Sequence, residues 1–266
     1  MPEIISSSSN PKIKSLLALQ QKSSVRRERG LFVVEGRREL LHCAGAGFEI
    51  DTVFVCPALC PDPLPLDGGT KVFEVGEELY RKIAMREGTE GVVAEVRARE
   101  RRLEELELPA HPLVVVLERV EKPGNLGAVL RSADAAGADA VLLCDPLTDL
   151  WNPNLIRASV GAVFTVPCVT CGSQEAIAFL KARGIRILTA QLQDSALYYD
   201  CDMRCGTALV MGTESTGLTE RWREAADAHI RIPMLGALDS LNVSVSAAIL
   251  LFEAVRQKQT QRHRNG

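Results

Sequence analysis

Residues 113–145, LVVVLERVEKPGNLGAVLRSADAAGADAVLLCD, decide the fold of this 266-residue chain. Two short apolar runs within it, LVVVLERV and DAVLLCD, have the composition of buried β-strands. Between them the pattern predicts a helix from about Asn125 to Ala136, which ends at Gly137. A strand, a helix and a second strand in succession form the crossover unit of a parallel sheet. The stretch therefore predicts an α/β domain.

The same alternation continues to the end of the chain. Further strands are predicted at 162–169, 185–191 and 207–213, and a helix at 173–184 separates the first two. A last helix is predicted over 241–259, LNVSVSAAILLFEAVRQKQ. The second half thus indicates an open, mostly parallel sheet with helices on both faces.

The first half predicts a separate, smaller α/β domain. A basic helix over about 11–28 is followed by short strands and helices in alternation, at 31–36, 37–47, 51–56, 70–75, 76–85 and 91–98. The charge-dense stretch ARERRLEELELPAHP, residues 98–112, is typical of a helix end that runs into a linker. We therefore expect one domain over 1–105 and a second over 106–266.

Composition narrows the class of protein. Of its residues, 46% are hydrophobic and 24% are charged. The chain has no apolar run long enough to span a membrane, and its first residues lack the apolar core of a secretory signal peptide. We therefore expect a cytoplasmic protein with no membrane partner.

Local charge differs from the net charge of −3. Basic residues are concentrated in two segments, near the start of the chain and after Glu253: Lys12, Lys14, Lys22, Arg26, Arg27, Arg29, Arg37 and Arg38, then Arg256, Lys258, Arg262 and Arg264. Such segments can hold a phosphate backbone. Solubilising charge on exposed helices explains them equally well.

Eight cysteines raise the question of a metal site. Cys168 and Cys171 form a CxxC, and Cys201 and Cys205 follow about thirty residues later, as in four-thiolate zinc sites. However, Cys168 ends a β-rich run, and most of the others lie in apolar surroundings, where free cysteine behaves as a small buried hydrophobe. We therefore expect no metal.

Ligands of parallel sheets bind at the carboxyl ends of the strands, which directs attention to three loops, 118–125, 212–217 and 233–242. In the segment 121–133, which begins in the first of these loops, Arg131 falls between Leu130 and Ala133, and we expect it to face the interior and to need an anionic partner. An internal salt bridge is the alternative role. In the third, Asp239 and Ser240 are candidate N-caps of the last helix.

Here the sequence resembles a known family. The segments NLGAVLRSADAAGADAVLL, VMGTESTGL and IPMLGALDSLNVSVSAAILLFEAVRQ, in this order, resemble the three motifs of the SpoU-type (TrmH) RNA ribose 2′-O-methyltransferases of the SPOUT superfamily. The resemblance covers 113–258. The first half is similar, more loosely, to the family's RNA-binding domain, which is related to ribosomal protein L30e.

The resemblance implies an α/β-knot domain in which the chain forms a trefoil knot, an exception to ordinary topology. It implies S-adenosylmethionine as methyl donor, held around Gly212, Ile232, Met234 and Leu241, and a homodimer with the last helix in the interface. The glycine loops of ordinary methyltransferases and dinucleotide-binding proteins are absent, so the donor is inferred from the resemblance alone.

The resemblance also implies the catalytic residues, which are Arg131, Asn125, Glu214, Ser240 and Asn242. Arg131 is either the base that takes the 2′-hydroxyl proton or, because guanidinium normally stays protonated, a group that stabilises developing negative charge. A 2′-hydroxyl acceptor excludes DNA as substrate.

Family members with an L30e-like first domain generally act on large-subunit ribosomal RNA. The resemblance therefore implies 23S ribosomal RNA as the substrate, and a transfer RNA methyltransferase is the alternative. A non-catalytic RNA- or ribosome-binding protein that keeps the fold is a second alternative, against which the intact motif residues argue. Lys122, where the family often has an acid, is the one departure from the motifs.

Overall fold

The structure is a computed structural model that describes residues 2–85, 90–213 and 215–265, with side chains as far as residue 260. The chain forms two compact units. The first comprises Met1–Arg99 together with Asp149–Thr165, and the second comprises Glu100–Thr148 and Val166–Gly266. A segment from the middle of the chain is thus part of the first unit.

The first unit contains a five-stranded mixed sheet and six helices, numbered here in chain order over the described residues. They are β1 (Glu3–Ile5), α1 (Pro11–Gln21), α2 (Ser23–Arg29), β2 (Leu31–Glu35), α3 (Arg37–Gly45), β3 (Ile50–Val55), β4 (Lys71–Val75), α4 (Glu77–Ile83), β5 (Val92–Arg97), α6 (Pro153–Ser159) and α7 (Ala162–Thr165). The strand order is β1-β4-β3-β5-β2, with β5 antiparallel to both neighbours.

The segment Asp149–Thr165 is fixed to the first unit by an ion pair and by aromatic packing. The buried guanidinium of Arg26 donates from Nε to Asp149 Oδ2 over 2.6 Å and from Nη1 to the carbonyl of Leu19. Trp151 stacks on the buried ring of Phe32, with ring centroids 4.4 Å apart. The basic residue Arg26 therefore has a structural role and is not available to a nucleic acid.

The second unit is built on a seven-stranded sheet. Its elements are β6 (Leu113–Glu118), α5 (Pro123–Ala135), β7 (Ala140–Cys144), β8 (Cys168–Cys171), α8 (Ser173–Ala182), β9 (Arg186–Ala190), β10 (Ala196–Leu197), β11 (Thr207–Met211), α9 (Glu220–Ala225), β12 (Ala228–Arg231) and α10 (Val243–Asn265). The order is β10-β12-β9-β11-β6-β7-β8, and every described pairing in it is parallel.

Helices cover both faces of this sheet, as the sequence predicts. Alternate strand residues such as Val114 and Leu142 pack against α8 and α9, where Phe179 and Trp222 complete one core. On α5 and α10, which pack on each other, apolar side chains such as Leu126 and Leu250 are buried. None of the helices in the described part of the chain is long and apolar enough to cross a bilayer.

Three predicted elements differ from the structure. The basic helix over 11–28 is two helices, because the backbone is extended at Lys22. The stretch 98–112 contains only one turn of 3-10 helix, Leu103–Glu105. The predicted strand over 162–169 is a helical turn followed by β8, because Pro167 separates the two and short apolar runs fit a helix as well as a strand.

The cap of α10 also differs from the prediction. The helix begins at Val243, and the side chain of Asn242, not of Asp239 or Ser240, accepts a hydrogen bond from the Ser244 amide. Asn242 is thereby held at the end of the loop that leads into α10.

Candidate active site

Two adjoining cavities lie at the carboxyl edge of the seven-stranded sheet. The first, about 370 Å³, is lined by residues that follow β9, β11 and β12 and by the start of α10. The second, about 360 Å³, is lined by Val120, Glu121 and Lys122 on the β6–α5 loop and by Asn125 in the first turn of α5. Both cavities include Gly212, Thr213, Ser215 and Val243 in their walls. A ligand in one cavity therefore lies next to a ligand in the other.

The loop after β11 separates the two cavities and requires glycine. A Cβ on Gly212 would lie 2.3 Å from the carbonyl carbon and oxygen of Gly217 and 2.6 Å from the Leu218 amide nitrogen. Gly217 has a φ of +67°, which side chains disfavour. The Gly217 amide donates to the Thr213 carbonyl over 3.1 Å, which closes the loop on itself.

A buried carboxylate fixes the end of this loop. Glu118, 2% exposed at the end of β6, accepts hydrogen bonds from the Thr219 amide over 2.8 Å and from the Thr219 hydroxyl over 2.6 Å. The Ser173 hydroxyl donates to Asp145 over 2.6 Å and accepts from the indole of Trp222 over 3.1 Å. The loop is thus attached to β6 through charge-assisted hydrogen bonds.

Most of the predicted donor-binding and catalytic residues lie at these cavities. Gly212, Ile232, Met234, Ser240 and Leu241 line the first cavity. Their common position follows from the topology, because the carboxyl ends of parallel strands lie at one edge of the sheet.

The other predicted residues lie at the second cavity, on α5 or outside the described chain. Asn125 lines the second cavity, and Asn242 Nδ2 donates to Asn125 Oδ1 over 3.1 Å. Arg131 is exposed on α5, so the expectation that it faces the interior is wrong. The apolar face of α5, with Leu130 and Ala133, turns inward, and Arg131 lies beside it, about 100° round the helix from Leu130. Glu214 lies outside the described residues.

Sequence reasoning missed a fourth loop, after β9, and an arginine on α9. Gln191 and Arg223 both line the first cavity. The buried atoms Gln191 Oε1 and Arg223 Nε have no hydrogen-bond partner among the described residues. The rule that directed attention to the other strand ends would also have found Gln191, since the loop follows a predicted strand.

These features fit S-adenosylmethionine. The molecule carries hydrogen-bond donors and acceptors that match an unpaired acceptor and an unpaired donor in the cavity wall. Buried polar atoms in native proteins are almost always paired, which indicates that a polar ligand completes this wall. The volume is within the range of small-molecule sites.

The cysteines do not form a metal site in the part of the chain that the structure describes, where no group of three or more potential ligands is found. Cys144 and Cys171 face each other on neighbouring strands, with their sulfur atoms 3.9 Å apart. Their hydrogen bond, together with burial, raises the pKa of the Cys144 thiol. Burial raises the pKa of Cys168 to about 12. Thiols in this state are protonated at neutral pH.

Comparison with known proteins agrees with this geometry. Residues 112–252 match the SpoU rRNA methylase family, and residues 10–94 match the MRM3-like substrate binding domain. A 23S rRNA (guanosine(2553)-2′-O)-methyltransferase, RlmP, of Bacillus subtilis is 30% identical over 255 residues, which are 93% of this chain and 97% of the relative. A 23S rRNA (guanosine-2′-O-)-methyltransferase, RlmB, of Ralstonia nicotianae is 37% identical over 71% of this chain and 78% of the relative.

Solved structures show the same similarity. The crystal structure of an AdoMet-bound rRNA methyltransferase from Sinorhizobium meliloti is 30% identical, with a TM-score of 0.87 over 96% of this chain and 97% of that one. These matches confirm the predicted fold class, in which a small substrate-binding domain precedes a mostly parallel α/β methyltransferase domain. The trefoil knot stays a prediction. By sequence and by structure, this chain belongs to the SpoU rRNA methylase family.

Proposed function

We propose that this protein transfers a methyl group from S-adenosylmethionine to a ribose 2′-hydroxyl of ribosomal RNA. The observation that carries the proposal is the pair of adjoining cavities with a shared wall at Gly212, Thr213, Ser215 and Val243. A methyl transfer requires donor and acceptor in adjacent sites, because the attacking oxygen must approach the methyl carbon in line with the bond that breaks.

The first cavity is the proposed donor site. Gly212, Ile232, Met234 and Leu241 line it and would hold S-adenosylmethionine. When bound, the donor supplies a methyl group activated by its positive sulfur. Gly212 lets the backbone of the loop approach closely.

The second cavity is the proposed site of the acceptor nucleotide. Asn125 and Asn242 are joined by a 3.1 Å hydrogen bond, and the pair would orient the ribose. Arg131, two turns along α5 from the start of the helix, would donate to the 2′-oxygen or a neighbouring phosphate and stabilise the negative charge that develops there. Ser240 would line the reaction centre, and Glu214 would contact the RNA or support its loop.

The substrate-binding match over 10–94 supports an RNA-binding role for 1–105. The basic residues Lys14, Lys22 and Arg27 are exposed on or between α1 and α2 and would contact phosphates. The named relatives act on 23S rRNA, which makes this RNA the proposed substrate. They are bacterial proteins, and the cytoplasm, where bacterial ribosomes are made, is the proposed location.

We also propose a homodimer. Apolar side chains of α10 are exposed along one stripe, with Val245 46% and Phe252 50% exposed, and the neighbouring Leu241 is also exposed. Exposed apolar surface of this kind marks an interface. The small side chains Ser244 and Ala248 on the same helix permit close helix packing.

The test uses the purified full-length protein with methyl-labelled S-adenosylmethionine and three unmodified nucleic acids: 23S rRNA, pooled transfer RNA and a DNA copy of the rRNA. We expect label only in the rRNA, at a position resistant to alkaline cleavage because its 2′-hydroxyl is blocked. Labelled transfer RNA would support the alternative substrate. Donor binding without transfer to any RNA would contradict the enzymatic proposal.

A further inference from the structure

We infer that Arg223 binds the methionine carboxylate of the donor and that Gln191 binds its nucleoside part. The inference rests on the proposed function and assigns two residues that the family motifs do not contain. It starts from two buried polar atoms, Gln191 Oε1 and Arg223 Nε, that lack partners within the described ranges.

The orientation of the Gln191 amide follows from its other contact. Gln191 Nε2 donates to the carbonyl of Gln193 over 2.9 Å, so the side-chain oxygen is the atom left without a partner. The Gln191 backbone amide donates to the carbonyl of Ile230, which fixes this residue against β12. A hydrogen-bond acceptor in this position requires a ligand group that donates a hydrogen bond.

The ligand group that donates a hydrogen bond to Gln191 Oε1 is uncharged. Arg231 also lines the first cavity and donates to Ser195 Oγ over 3.4 Å, in the same turn as Gln191. A nearby guanidinium disfavours the positive ammonium of the methionine part at this point. The hydroxyl groups of the ribose and the amino group of adenine remain, and both belong to the nucleoside.

Arg223 requires the opposite kind of group. Its Nε carries an N–H that can only donate, and the ion pair from Arg223 Nη1 to Glu220 is long at 3.9 Å. The carboxylate is the only anionic group of S-adenosylmethionine. A charge-assisted hydrogen bond from Arg223 to that carboxylate would satisfy the buried N–H and neutralise the guanidinium.

Two ligands separate the two assignments. S-adenosylhomocysteine carries both the nucleoside and the amino-acid part, whereas 5′-methylthioadenosine carries only the nucleoside. Calorimetric titration of the full-length protein gives the Kd of each ligand for the wild type, Arg223→Leu and Gln191→Leu. Arg221→Leu on the exposed side of α9 and Gln174→Leu on α8 are matched controls, since both side chains are exposed.

We expect Arg223→Leu to raise the Kd of S-adenosylhomocysteine about tenfold or more while the Kd of 5′-methylthioadenosine stays within about twofold. Gln191→Leu raises both by a similar factor, about threefold to tenfold. The two controls leave both values unchanged. If Arg223→Leu does not fold, Arg223→Lys serves instead, and the same selective loss for S-adenosylhomocysteine is expected.

If the Arg223 variant raised the Kd of both ligands equally, its assignment would be overturned. That result would show that Arg223 supports the loop and does not bind the carboxylate. Wild-type affinity in the Gln191 variant would overturn the second assignment. If the wild type binds neither ligand, the proposed function itself fails, and this result is distinct from a failure of the inference alone.

Discussion

At Arg131 the position of one side chain decides which chemistry is available. Arg131 is exposed on α5 and is not among the described residues that line the first cavity. Its side chain can therefore contact an RNA that approaches from solvent. In the proposed mechanism a guanidinium there would act as a charged donor to an oxyanion and would not contact the methyl donor.

We therefore expect Arg131→Ala to lower the rate of methyl transfer by about 100-fold or more, as for the loss of one oxyanion donor. The Kd of S-adenosylhomocysteine stays within about twofold. Arg131→Lys retains the charge but not the forked geometry and is expected to be intermediate. Single-turnover transfer and calorimetry measure the two quantities, and near-normal transfer by Arg131→Ala would remove the residue from the mechanism.

The two glycines of the loop after β11 are needed for different reasons, Gly212 for lack of space and Gly217 for its positive φ. Gly212→Ala places a methyl group 2.3 Å from the backbone of Gly217, so the loop must move, and we expect binding of S-adenosylhomocysteine to be lost. Gly217→Ala meets no atom within 4 Å and suffers only from its positive φ, at a cost of about 1–2 kcal/mol in the free energy of unfolding. Titration of both variants, with chemical unfolding as the check on folding, separates the two effects. Retained affinity in Gly212→Ala would show that the loop is not part of the donor site.

At the scale of the element, the attachment of this loop to β6 through Glu118 carries a further prediction. Glu118→Ala leaves the amide and hydroxyl of Thr219 without their acceptor, which costs about 1–3 kcal/mol in the free energy of unfolding. The Kd of S-adenosylhomocysteine rises as well, because the loop is less well fixed. Glu224→Ala, on the exposed face of α9, is the control. Lower stability with unchanged affinity would show that Glu118 serves the fold alone.

Elements with a single strong pattern could be predicted from the sequence. The β6–α5–β7 unit was predicted within about two residues, because its strands are uniformly apolar and its helix has clear ends. The run at 162–169 was not, because the buried side chains of Val163 and Phe164 suit a helical turn equally well. Periodicity cannot separate these two states in so short a run.

The position of the site could be predicted from the rule that ligands of parallel sheets bind at the loops that follow the strands. The motif segments identified residues that do line the two cavities, among them Gly212, Asn125 and Met234. The exposure of Arg131 was missed because adjacent helical residues point about 100° apart, so that burial of Leu130 says little about its neighbour. Gln191 stands outside the motifs, although it follows a predicted strand and the rule for strand ends would have found it. Arg223 was missed because it stands outside any motif and away from a strand end, and only the folded chain brings it to the cavity.

At the scale of the whole molecule, the ion pair between Arg26 and Asp149 joins two distant parts of the chain within the first unit. Asp149→Ala leaves a guanidinium that is 4% exposed without its counter-charge, and we expect a loss of about 3–5 kcal/mol in the free energy of unfolding of that unit. We expect the affinity for S-adenosylhomocysteine in the folded protein to be unchanged, because the described residues that line the proposed donor cavity all belong to the second unit.

Urea unfolding followed by tryptophan fluorescence measures this loss, since one of the chain's two indoles, that of Trp151, lies in the aromatic cluster of the first unit. Asp67→Ala, an exposed acid of the same unit, is the matched control. Equal stability of the Asp149 and Asp67 variants would show that the carbonyl contacts of Arg26 are sufficient.

The contribution of Asp149–Thr165 to the first unit has a consequence for synthesis of the protein. When Arg99 has been translated, all strands of that unit's sheet have been made, but Phe32 has only Phe48 beside it and still lacks the rings of Trp151 and Phe164. Another 66 residues, from 100 to 165, must emerge first, which takes roughly 3–13 s at about 5–20 residues per second. During that interval the nascent chain presents an unfinished hydrophobic surface to the ribosome and its chaperones.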